Sequence, residues 1–107
     1  MIDSGNYKTI QVPIGGRIYT LYVADDREKR FKGLSGLHHL PRKMGMLFKH
    51  DSMGNRAYTM ENTHIPLHMI FIDEDFNVVR EMDAKPRQKE EVNPGVDFMY
   101  VIEILGR

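Results

Sequence analysis

Apolar and polar positions alternate along most of this 107-residue chain, and the alternation predicts strands far more often than helices. YKTIQV and RIYTLYV (within 7–24) are rich in β-branched and aromatic residues and flank Pro13-Ile14-Gly15-Gly16, the pattern of a β-hairpin whose glycines take positive φ. In the second strand Tyr19, Leu21 and Val23 share one face and Ile18, Thr20 and Tyr22 the other. DDREKRFKG (25–33) breaks the period. Its acidic start, basic end and terminal Gly33 predict a helix of about two turns, capped by Asp25-Asp26 and held by Phe31 and Leu34.

Beyond a loop over 35–44, GMLFKH (45–50) predicts a short strand and DSMGNR (51–56) its turn-rich exit. Residues 64–72 predict a strand with Ile65, Leu67, Met69 and Phe71 on one face. His64, Pro66, His68, Ile70 and Ile72 occupy the other, so the far end is buried on both sides. Residues 73–77 read as a turn, with Asn77 suited to left-handed backbone, and VVREMDA (78–84) as the returning strand. KPRQKEEVNPGVD (85–97) reads as an exposed loop. FMYVIEIL (98–105) is a central strand in which Glu103 is the one charged residue. The sum is a mostly β (α+β) single domain over residues 1–107, a small mixed β-barrel or rolled sheet of about six to seven strands with one short helix near residues 25–33.

Composition narrows the chemistry. With no cysteine, disulfides and thiolate ligands are excluded, so a metal would need histidines and carboxylates. The start, MIDSGNYKTI, lacks a secretory h-region, and no apolar run approaches a membrane span, so the expectation is a soluble, cytoplasmic protein without membrane contact. Fifteen basic and fifteen acidic residues cancel, which speaks against nucleic-acid binding. Arg27, Lys29, Arg30 and Lys32 read as a solvated helix face, and Met46, Met69 and Met99 as core.

His64 and His68 would share one face of a helix, but Pro66 between them opposes helical backbone. In an extended strand four residues span about 13 Å, too far for one zinc to hold both rings at roughly 2 Å each. The pair is therefore not read as a metal site, and no cofactor is expected. His38, His39 and His50 read as solvent-facing. Ser35 in GLSGL lacks the spacing of a nucleophile elbow, and the glycines form no phosphate loop.

Several short strings, taken in order, carry a resemblance: A-D-x-x-E-x-R-x-x-G-L (Ala24 to Leu34), G-M-L-F (45–48), M-x-N-T-x-I-P-L (Met60 to Leu67), I-F-I-D (70–73), A-x-P (Ala84, Pro86) and Y-V-x-E (Tyr100 to Glu103). Together they resemble the family called domain of unknown function 192. The resemblance implies a mixed β-barrel-like fold with one short helix, and implies no activity. Where the family pattern has Trp, Lys, Asp and Arg, this chain has Thr59, Glu61, His68 and Leu37.

The candidate site is the polar cluster Glu61, Asn62, Thr63, His64 and His68, read as a small-ligand pocket at the start of the strand. Local bonds from Asn62 and Thr63 to backbone, and a half-buried His68 bonded to a neighbouring carbonyl, are the plainer alternatives. The leading functional reading is a non-catalytic accessory or small-ligand-binding module. The alternatives are a hydrolase-like enzyme using His68 as acid/base with Glu61, and a protein-interaction module.

Overall fold

The computed structural model describes residues 6–106. Its elements are β1 (Lys8–Ile14), β2 (Arg17–Ala24), α1 (Arg27–Lys32), β3 (Met44–Gly54), β4 (Leu67–Ile72), β5 (Val78–Ala84) and β6 (Phe98–Leu105). They form one six-stranded sheet in the order β1-β2-β3-β6-β4-β5. β2 and β3 run parallel, joined through α1, and every other neighbouring pair is antiparallel.

The β1–β2 hairpin closes as its glycines allow, with Gly15 at φ 57° and Gly16 at φ 81°. Asp26 caps α1 by accepting from the Lys29 amide at 2.8 Å. Gly33 ends the helix at φ 49°, its N–H donating to the Lys29 carbonyl. Leu34 just beyond is buried, whereas Phe31, expected to pack with it, is 93% exposed. Six helical residues offer too little length for two anchors on one stripe, and the contact falls to Leu34.

The sheet separates two apolar clusters. Ala24, Met46, Phe48, Leu67, Met69, Phe71 and Val101 belong to the larger one, completed by Leu34, Leu40, Met60, Ile65 and Val92 from the connecting segments. Leu21, Ile70, Ile102 and Ile104 form the smaller. Alternation along β4 divides it as the sequence pattern predicts.

The expected barrel is corrected to an open sheet. β1 and β5 lie at opposite ends of the strand order, and their exposed Lys8, Thr9, Arg80, Glu81 and Asp83 suit solvated edges. The central strand begins at Leu67 rather than at position 64, because Pro66 lacks an N–H for the ladder. β3 runs on to Gly54 through an irregularity between Lys49 and Gly54 instead of ending at position 50. Segment 85–97 is not wholly exposed: Val92 is buried and exchanges two 2.8 Å backbone bonds with Tyr58. In the 73–77 turn the left-handed residue is Phe76, at φ 65°, while the Asn77 amide donates to Asp73 Oδ1 at 2.9 Å.

Candidate functional site: a cavity beneath the helix

Segment 56–63, which follows β3, lines a half-open cavity of about 650 Å³ together with α1, β3, Glu103 of β6 and the start of β4. That volume falls within the range of small-molecule sites, roughly 300–1,000 Å³. Phe48, Leu67 and Met60 supply apolar lining, and Arg27, Arg30 and Phe31 contribute from α1.

Glu103 also lines the cavity. Alternation along β6 puts it on the face of Val101 and the larger cluster, between Met46 of β3 and Met69 of β4. It is 5% exposed. Burial alone pushes the pKa of its carboxyl up to about 8. At neutral pH the group is therefore mostly protonated, with one O–H to donate. Close packing behind it requires Gly45, where a Cβ would stand 2.4 Å from the Glu103 carbonyl oxygen.

Beside it, the His50 Nε2 and the Tyr58 hydroxyl are hydrogen-bonded. Burial is the main cause that lowers the His50 pKa to about 4, helped by the positive charges of Arg56 and Arg30. Burial, with the charge of Glu103, raises that of Tyr58. Three ionisable groups thus meet here in uncharged form. His50, expected to face solvent, is half-buried, because β3 continues past position 50 and Tyr58 folds back over it.

The rim is basic. Arg30 Nη1 donates to the Lys49 carbonyl at 2.9 Å, with Asp51 at 3.9 Å from Nη2. Arg56 donates to the carbonyls of Ser52 (2.7 Å), Phe98 (3.0 Å) and Gly54 (3.2 Å), tying the end of β3 to the start of β6. Arg27 and Lys32 add two further positive charges, so the helix face read as merely solvated also borders a cavity.

Of the sequence-predicted residues, Glu61, Asn62 and Thr63 line this cavity, while His64 and His68 do not. Asn62 and Thr63 bond through their carbonyls, which accept from the Gly36 and Arg87 amides at 2.8 and 2.9 Å. The local side-chain bond comes instead from Thr59, whose Oγ1 accepts from the Glu61 amide at 3.1 Å. His64 stacks on His38 at 4.1 Å.

His68 leaves β4 on the face of Ile70, and both ring nitrogens stand 2.8 Å from carboxylates: Nδ1 from Asp83 and Nε2 from Glu81. The neighbouring carbonyl considered from sequence is thus replaced by two cross-strand acids. His68 and Asp83 also line a separate hollow beside β4 and β5. Glu103 was missed as a site residue, although a lone carboxylate in an apolar central strand was visible signal.

The architecture and the site define a mostly β domain, an open six-stranded mixed sheet with one helix over a polar-floored cavity. The chain belongs to the DUF192 family, described as Uncharacterized ACR, whose pattern matches residues 10–106. No curated protein matches it in sequence. Among solved structures it is similar to a proposed transcription regulator from Sinorhizobium meliloti 1021, with a TM-score of 0.78 and 26% identity over 94% of this chain and 82% of that one. It is also similar to a protein of unknown function from Novosphingobium aromaticivorans DSM 12444, with a TM-score of 0.76 and 21% identity over 99% of this chain and 86% of that one.

Proposed function

We propose that this domain is a small-ligand-binding module whose ligand sits in the cavity beneath α1. The carrying observation is Glu103, 5% exposed and with its carboxyl held mostly neutral by burial, in the lining of a cavity of about 650 Å³. A neutral carboxyl in a cavity wall offers a ligand one O–H donor and one carbonyl acceptor. The mixed lining fits the same reading: apolar Phe48, Met60 and Leu67 give contact area, while Glu103, Asn62 and Thr63 give orientation.

The test is an amide-resolved NMR titration of the full chain with a panel of small metabolites. A binder should shift Gly33, Ser35 and Asn62 saturably, together with the β6 amides around Glu103. A panel that leaves all of these unmoved rejects the module.

A further inference from the structure

We propose that the cavity is selective for small carboxylic acids with an apolar body, the ligand's carboxylate accepting the Glu103 O–H while a rim of arginines draws the anion in. The inference rests on reading the cavity as a ligand site and adds the chemical class of the ligand.

Charge is the first argument. Arg27, Arg30, Lys32 and Arg56 all line the cavity, against Glu61 and a buried Glu103 that is mostly uncharged at neutral pH. Arg56 is held by three backbone carbonyls, and the acid nearest Arg30, Asp51, stands 3.9 Å away with its side chain 90% exposed. The rim is therefore net positive, and a low-dielectric concavity focuses that field on entering anions.

The floor discriminates further. A protonated carboxyl has one hydrogen to give, and O–H···O⁻ to a carboxylate is among the stronger hydrogen bonds. An ammonium ligand would find only the carbonyl oxygen of a neutral Glu103 to accept its hydrogens, and would meet four cationic side chains on the way in. An inorganic phosphate needs several donors at once, whereas Phe48, Leu67 and Met60 surround the floor with carbon. Those side chains, with Phe31 93% exposed on α1, suit the body of an aryl or alkyl acid.

Proton linkage follows. The titratable and charged groups that line the cavity with Glu103 are Tyr58, Arg56 and Glu61 from segment 56–63, His50 from β3, and Arg27, Arg30 and Lys32 from α1. His50 titrates near 4, Tyr58 is raised by burial, and Glu103 titrates near 8. Affinity for an acid should hold steady between about pH 5.5, where the ligand's own carboxyl is ionised, and pH 8, and fall above that by up to tenfold per pH unit as one proton is lost.

The experiment titrates the full chain with sodium phenylacetate, phenethylamine and inorganic phosphate by NMR at pH 6.5 and 9.5. Phenylacetate should bind, at least tenfold more tightly at pH 6.5, with phenethylamine and phosphate much weaker. Glu103→Gln, which keeps a donor and removes the proton, should still bind phenylacetate but without the pH dependence. Arg27→Gln with Arg30→Gln should weaken phenylacetate several-fold and flatten its salt dependence in a chain whose core is untouched. Preference for phenethylamine or phosphate overturns the inference, as does an unchanged pH profile in Glu103→Gln. If only neutral metabolites shift Gly33 and Asn62, the binding module stands and its selectivity for acids falls. If nothing shifts them, both fall.

Discussion

His68 on β4 and Asp83 on β5 face each other across the antiparallel ladder, with Nδ1 2.8 Å from the carboxylate, while Glu81 takes Nε2 diagonally at the same distance. Two carboxylates on two ring nitrogens suit the doubly protonated imidazolium. Partial burial favours the neutral ring, but the hydrogen bonds and charges of Glu81 and Asp83 outweigh it, and the His68 pKa is raised above 6.5.

A group whose folded pKa is raised stabilises fully below its unfolded pKa and loses that contribution as pH climbs through the folded value. His68→Gln should therefore cost about 1 kcal/mol at pH 5.5, a modest figure because both acids are largely exposed. At pH 9 the cost should shrink toward zero. Urea denaturation of both proteins at the two pH values measures the difference.

Glu103 predicts a second pH dependence. Its folded pKa near 8 lies above the ordinary 4.5, so its destabilising effect is absent below pH 4.5, grows between 4.5 and 8, and levels off beyond. The wild type should lose on the order of 3–5 kcal/mol across that interval relative to Glu103→Gln. Parallel pH profiles for the two would show that the carboxyl is solvated.

Gly45→Ala should destabilise the fold by about 1–3 kcal/mol, because the added methyl meets a backbone carbonyl rather than a movable side chain. Thermal unfolding reads this as a drop of several degrees. The effect should reach the site as well, since the carbonyl displaced belongs to Glu103.

Phe31→Ser should leave stability within about 0.5 kcal/mol of wild type, whereas Leu34→Ala should cost about 2–4 kcal/mol. Denaturant midpoints of the two variants distinguish an aromatic held in solvent from an aliphatic side chain that anchors the helix.

How far these features were legible differs by kind. Period-two alternation placed β4, β5 and β6 and divided Leu67 and Met69 from Ile70, because each side chain meets its own cluster. Capping chemistry placed α1 between Asp26 and Gly33. Non-local contact was not legible. Nothing near position 58 announces that Tyr58 will pair with Val92 and cover His50, and nothing near position 31 says that Leu34 alone will find the sheet. Of the predicted site, Glu61, Asn62 and Thr63 share a cavity, while the deeper polar group came from a strand some forty residues later in the chain. His68 lies beyond Pro66, where alternation turns it to the other face.

The strand order carries a consequence for biosynthesis. Among the described residues β6 comes last of the strands, yet in the sheet it lies between β3 and β4, joining β1-β2-β3 to β4-β5. A nascent chain emerging from the ribosome must keep two incomplete half-sheets apart from each other and from other polypeptides until residues 98–105 clear the exit tunnel. Those same residues deliver the acid that lines the cavity, so the cavity is completed at the moment the sheet becomes continuous.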